Sequence, residues 1–321
     1  MLFGIYPGSV TGDDSGGLAG GPADDPELMA DAVGVLQGRP DRPFLVRAYL
    51  GFHDETPPVG PHPTLTPVDA ARYTGQGRSL DLVAQYQSAS GNIAGYQTFL
   101  RQLVEQYGPH TGTLQVTEEP NVPGNPTLDG YYPKVVEALV TGVGAAKDHA
   151  RRLGHDHLRV GFNTTPLFGP GASFIAGLTE AGGPEFVRAL DYVGLDFFPD
   201  VFRPVPAAEL GDAVTGLLRH HRDNILTPAG LGHLPVHITE HGWPTGPGRS
   251  PQRQSEVVET VVRTIATHAA ELGISGYTHF ALRDADSENP GLFHRFGLMT
   301  DGYTPKPSFH TYRDLIDELG H

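Results

Sequence analysis

Residues 114–124 read LQVTEEPNVPG. Leu114 to Thr117 carry the alternating, β-branched pattern of a half-buried strand, and the proline- and glycine-rich residues after Glu119 can continue neither strand nor helix. Two adjacent glutamates, Glu118 and Glu119, therefore stand where a strand stops. Each resists ionising while its neighbour is charged, which suits a site that needs a protonated carboxylic acid at neutral pH. An average pair of this kind is simply solvated, so the surrounding chain has to supply the reason for chemistry.

That strand is one of eight. The runs are 2–6 (LFGIY), 43–49 (PFLVRAY), 80–86 (LDLVAQY), 113–118 (TLQVTE), 158–163 (LRVGFN), 191–197 (DYVGLDF), 235–240 (PVHITE) and 276–282 (GYTHFAL). Between them lie segments with helical spacing, such as PELMADAVGVLQ (26–37) and SEVVETVVRTIATHAAELG (255–273). In AELGDAVTGLLRHHRDNIL (208–226), Leu210, Ala213, Val214, Leu217 and Leu218 form one stripe for packing on a sheet. Strands alternating with helices predict an α/β fold, a (β/α)8 TIM barrel, with a doubly wound open sheet as the alternative. No linker or composition shift divides residues 1–321, so a single domain is expected. Residues 52–78 are rich in Pro and Gly and predict a long loop over the barrel mouth.

With 37 acidic and 22 basic residues, the formal charge of −15 argues against nucleic acid or an anionic membrane as partner. Zero cysteines excludes disulfide and thiol chemistry. No apolar run is long enough to span a bilayer, and the N-terminus MLFGIYPGSV has no leader pattern. A cytoplasmic protein is the expectation, or a secreted one if a leader has been trimmed. Oligomeric state is not legible.

Asp13–Gly17, DDSGG, is a weak match to a protease nucleophile turn, and the sixteen histidines show no HExxH or comparable ligand spacing. No Walker loop or dinucleotide fingerprint occurs, and no cofactor or metal is called for. VHITEHGWPTG (236–246) is different. It puts Glu240 at the end of the seventh strand as TLQVTEE puts Glu119 at the end of the fourth, and barrel enzymes assemble their sites at strand C-termini. Strands four and seven face each other across a barrel. Retaining glycosidases need two carboxyl groups about 5–5.5 Å apart, one as nucleophile and one as proton donor.

The chain resembles the clan A glycoside hydrolases, (β/α)8 retaining glycosidases whose fourth strand ends in Asn-Glu-Pro and whose seventh ends in Thr/Ser-Glu-x-Gly-Trp/Phe. Glu119-Pro120-Asn121 and Thr239-Glu240-His241-Gly242-Trp243-Pro244 carry the likeness. The closing run 277–315, with Gly297-Leu298 and Lys306-Pro307 in order, extends it over nearly the whole chain. The resemblance implies a retaining O-glycoside hydrolase acting on a carbohydrate or glycoside, with Glu119 as acid/base and Glu240 as nucleophile. It further implies that Arg47 keeps the nucleophile ionised. Glu118, Asn163, Asp196 and His279, with Tyr6 and Gln85, are candidates for lining the pocket, and Trp243 for a sugar platform.

Three positions depart from the pattern. Glu118 replaces the asparagine before the acid/base, Asp196 in GLDFFPD replaces an asparagine, and Phe198 replaces a tyrosine that would hydrogen-bond the nucleophile. An eighth-strand tryptophan is also missing, with His279 and Phe280 nearest its place. These changes predict four carboxyl groups in one pocket. Either the substrate supplies an amino group or many donor hydroxyls, or Glu118 or Asp196 turns to a basic neighbour. The rival classes are a non-catalytic carbohydrate-binding barrel and a metal-dependent barrel hydrolase.

Overall fold

A computed structural model describes residues 1–54 and 65–320. Eight parallel strands follow the chain: β1 (Leu2–Tyr6), β2 (Phe44–Phe52), β3 (Arg78–Tyr86), β4 (Thr111–Val116), β5 (Arg159–Thr164), β6 (Tyr192–Asp196), β7 (Val236–His241) and β8 (Ile274–Phe280). Neighbours in sequence are neighbours in the sheet, and β1 pairs with both β2 and β8, which closes the barrel. Strand residues are buried on both faces because side chains fill the inside while helices cover the outside.

The helices are α1 (Pro26–Gln37), α2 (Ile93–Tyr107), α3 (Val135–Arg152), α4 (Phe174–Ala189), α5 (Leu210–Arg219), α6 (Pro251–Leu272) and α7 (Pro307–Leu319). Local chemistry sets their ends. Asp25 and Asn92 cap α1 and α2 by accepting backbone N–H groups, and α6 starts at Ser250-Pro251 and stops at Gly273, whose φ of 62° is left-handed. On α5, Leu210, Val214 and Leu218 are buried as the stripe requires, but Ala213 is exposed. The helix then continues as a π-helical stretch, His220–Leu226, whose Arg222 bonds the carbonyls of Leu272, Gly232 and Leu234.

In keeping with the helix-poor composition of residues 52–78, no α-helix among the described residues joins β2 to β3. The expected mouth loop 52–78 lies partly outside the described residues, at 55–64. Its described remainder pairs Leu65–Thr66 with Tyr49 and Leu50, then runs along the barrel wall as a 3-10 turn, Ala70–Tyr73, against β2 and β3. Gly75 and Gly77, with φ of 90° and 83°, stop that turn before a helix can form. Gly182-Gly183-Pro184 interrupts α4. Gly183 has φ 58° and ψ −163°, so α4 is two helical pieces joined at a kink.

No helix among the described residues is long and apolar enough to cross a membrane.

Candidate active site

Side chains two apart on a strand share a face, so Arg47 and Tyr49 of β2 both point into the barrel. The Arg47 guanidinium is wholly buried. It donates from Nε to the Tyr49 hydroxyl at 2.7 Å and from Nη1 to Asp81 of β3 at 2.8 Å. Its Nη2 reaches Gln115 of β4 at 3.0 Å, Glu118 at 3.4 Å and Glu240 at 3.5 Å. Tyr49 in turn donates its hydroxyl proton to Glu240. Sequence reading missed Tyr49, although the same-face spacing from Arg47 was the available signal. Its hydroxyl supplies the contact to Glu240 that Phe198 cannot.

Consecutive strand residues point to opposite faces, yet Glu118 and Glu119 both face the site. The backbone makes this possible by leaving strand geometry: Thr117 and Glu119 are left-handed, with φ of 68° and 42°. Asp129 clamps the turn. Its carboxyl accepts the N–H groups of Glu118 at 2.7 Å and Tyr86 at 2.6 Å, and its own N–H donates to the Glu118 carbonyl at 2.9 Å. Burial pushes the Asp129 carboxyl up to about 8. Nothing in TLDGYYP distinguished it from an ordinary turn aspartate.

Asn163, at the end of β5, accepts the Glu119 N–H at 3.0 Å and donates to Asp196 and, at 3.4 Å, to Glu118. Thr239 donates to the other Asp196 oxygen at 2.6 Å. Gly194 makes room for this packing, since a Cβ there would lie 2.8 Å from both the Asn163 Cβ and the Thr239 hydroxyl. Glu118 is held chiefly by protein partners, its Oε2 accepting from Gln115 at 2.5 Å as well as from Arg47. Glu118 thus bonds the basic Arg47 without leaving the cavity.

The four carboxyls do meet. Burial raises the pKa of Glu118, Glu119, Asp196 and Glu240, and mutual repulsion raises the three glutamates further. Glu240 is brought to about 7 by burial and by Asp196, against which the Arg47 charge and the Tyr49 hydrogen bond pull it down. Glu119 is driven well above the carboxylate range by burial, then by Asp196 and Glu240, and it shares a hydrogen bond with Asp196. Carboxyl oxygens of Glu118, Glu119 and Asp196 lie within 4.8 Å of one another, the grouping among the described residues with the donors for a cation.

Of the expected site residues, Trp243, His279 and Tyr6 do not line the cavity. Trp243 is buried, donates its indole N–H to the Asp200 carbonyl at 3.1 Å and packs under Arg249, so it offers no sugar platform. His279 faces outward, bonded to Tyr277 at 3.1 Å and packed on Tyr312 of α7. Its neighbour Phe280 faces the site instead. Tyr6 is buried behind the site, stacked on Phe280 and bonded to Thr66, while Gln85 lines the cavity.

The carboxyls open into a cavity of about 770 Å³ at the C-terminal ends of the strands. Glu118, Glu119, Asp196, Glu240, Tyr49 and Gln85 line its floor. Arg47 and Asn163 do not reach it and act through the carboxyls they hold.

No protein-family model and no curated protein sequence matches the chain. Solved structures do. A family 17 β-1,3-glucanosyltransferase from Rhizomucor miehei superposes with a TM-score of 0.59 at 15% identity, covering 96% of each chain. A family 1 β-glucosidase from Thermotoga maritima gives 0.58 at 14% identity, covering 91% of this chain and 86% of that one. A family 39 glycoside hydrolase from Bacteroides cellulosilyticus gives 0.60 at 17%, covering 99% and 64%. The chain shares its fold with the clan A glycosidases.

Proposed function

We propose that the protein is a retaining O-glycoside hydrolase in which Glu240 is the nucleophile and Glu119 the acid/base. A Glu240 oxygen attacks the anomeric carbon while Glu119 gives its proton to the glycosidic oxygen, so the C–O bond breaks and the alcohol leaves. Glu119, now a carboxylate, takes a proton from water, whose oxygen displaces Glu240 from the anomeric carbon and restores the starting state. The reading rests on one observation above all: carboxyls that follow β4 and end β7 share one cavity. The proton donor is held protonated, while the cation and a phenol favour the charged form of the nucleophile. The shared fold supports it.

The decisive test offers a panel of nitrophenyl glucoside, galactoside, xyloside, arabinoside, fucoside and glucosaminide and reads the first-formed anomer by NMR. Retention is the expected result. Inversion, or binding without turnover across the panel, would overturn the assignment, the latter in favour of a carbohydrate-binding barrel.

A pH prediction follows from Tyr49. In the free enzyme kcat/KM should rise as Glu240 ionises, near pH 7, and fall at higher pH as Glu119 loses its proton. Tyr49→Phe removes a hydrogen bond that favours the charged form of Glu240, so the rising limb should move to higher pH with the falling limb little changed. An unmoved limb would show that Tyr49 does not tune the nucleophile.

A further inference from the structure

A run of phenylalanines leads away from the carboxyls. Phe280, at the end of β8, lies with its ring centroid 6.0 Å from Phe296 and 6.4 Å from Phe198. Phe296 meets Phe293 at 6.3 Å, Phe198 meets Phe202 at 6.3 Å, and Phe202 meets Phe293 at 6.2 Å. These are ordinary aromatic contact distances, so the rings form one surface from the catalytic floor to the rim. Loops after β6 and β8 supply it, and Leu217 and the exposed Ala213 of α5 line the same cavity. At the outer end Phe202 is 61% exposed, and Phe168 of the β5 loop, which also lines the cavity and stacks on His220, is 53% exposed. Large apolar side chains left open beside a polar site mark a binding surface.

Sugars and apolar groups ask different things of such a surface. A second sugar needs hydrogen-bond partners for several hydroxyls, and phenylalanine has none. Several of the nearby polar side chains are already committed to protein partners. Asp200 accepts from the Val205 N–H and pairs with Arg253, and the Thr165 hydroxyl accepts from Asn121. Asn125 bonds Asp13 and Thr127, and Asp13 accepts from Ser15 and Gly17. Arg203 at the rim is the cation that lines this part of the cavity.

We propose that the phenylalanine surface is the leaving-group site, and that the substrate is a glycoside of a hydrophobic alcohol rather than an oligosaccharide. This rests on the hydrolase reading above and fixes the side of the scissile bond that reading leaves open. The sugar sits over the carboxyl floor, and the apolar alcohol extends from Glu119 along the rings to Phe202, released there once protonated.

The test compares hexyl and methyl glycosides, and a disaccharide, of whichever sugar the nitrophenyl panel selects. Hexyl and methyl alcohols are similar leaving groups, so the comparison reads binding rather than activation. Burying two methylenes suffices for about a tenfold gain, and kcat/KM for the hexyl glycoside should exceed the methyl by at least that factor, with the disaccharide below both. In Phe202→Ser and Phe293→Ser the hexyl-to-methyl ratio should fall toward unity, with melting temperature checked to exclude misfolding. Calorimetry with the hexyl and methyl thioglycosides, which are not turned over, reads the same preference without catalysis. A disaccharide cleaved as well as the hexyl glycoside, with ratios unmoved by either variant, overturns the leaving-group proposal and leaves the hydrolase standing. Preferential hexyl thioglycoside binding that depends on Phe202 and Phe293, without hydrolysis of any glycoside, sinks the hydrolase reading and keeps the apolar site.

Discussion

Glu240→Gln is expected to lower kcat on the order of 10⁴-fold or more, on activated nitrophenyl glycosides as much as on alkyl ones. An amide cannot form the glycosyl-enzyme, and a good leaving group does not help a reaction that lacks its nucleophile. Glu119→Ala should behave differently. Proton donation matters little when the leaving group is a nitrophenol, so activated substrates should keep much of their first step, and azide should restore the second by attacking the glycosyl-enzyme. Glu118 stands beside Glu119 but is occupied by Gln115 and Arg47, so Glu118→Gln should lose less than Glu119→Ala on alkyl glycosides. Equal, unrescued losses in Glu119→Ala and Glu240→Gln would leave the two roles unassigned; a Glu118→Gln loss matching that of Glu119→Ala would move the acid to Glu118. The same Glu240→Gln protein should gain stability. Burial and Asp196 raise Glu240 from an ordinary 4.5 to about 7 in the fold, so its own contribution to stability is fully present below about 4.5 and is lost as pH rises through 7. The amide escapes that loss, by up to roughly 3 kcal/mol above pH 7. Calorimetric melts of both proteins across that window measure it.

The acidic crowding explains which parts of this molecule were legible in sequence. Strand alternation carries over to the barrel, because a residue's face on a strand follows from simple parity, while the glutamates stand where parity is already broken, at the left-handed Thr117 and Glu119 and at the register shift between Ile238 and Glu240. Tyr49 obeys that parity with Arg47 and was overlooked, since a tyrosine in PFLVRAY reads as core. Beyond the strands parity fails. Trp243 lies past the end of β7, where the chain turns it under Arg249 rather than toward the cavity, and Asp129 reaches Glu118 from eleven residues away through backbone bonds that no side-chain pattern encodes. For His279 and Phe280 the pattern allowed either neighbour to face in. Packing of His279 on Tyr312 of α7 makes the choice, a tertiary contact between segments that pattern reading treats separately.

Arg47→Met should show what holds the acidic floor together. Its guanidinium is fully buried and touches Asp81, Glu118 and Glu240 as well as Gln115 and Tyr49. Removing the cation leaves these carboxyls facing one another in a dry interior, a change expected to destabilise the fold by about 3–5 kcal/mol at pH 8. The loss has a pH signature. Arg47 pulls down the pKa of Glu118, Glu119, Asp196 and Glu240, so without it the carboxyls bind protons more tightly. Protonated neighbours no longer need a cation, and the penalty should shrink as pH falls from 8 to 5. Denaturant midpoints of wild type and variant at those two pH values give the comparison. A penalty equal at both would mean that Arg47 acts by filling space. Arg47→Lys separates the remaining possibility: an ammonium on a single stem keeps the charge but cannot span β2, β3, β4 and β7 at once. It should recover part of the stability while leaving the rising limb of kcat/KM displaced to higher pH, because Glu240 sits at the far end of the guanidinium, 3.5 Å from Nη2.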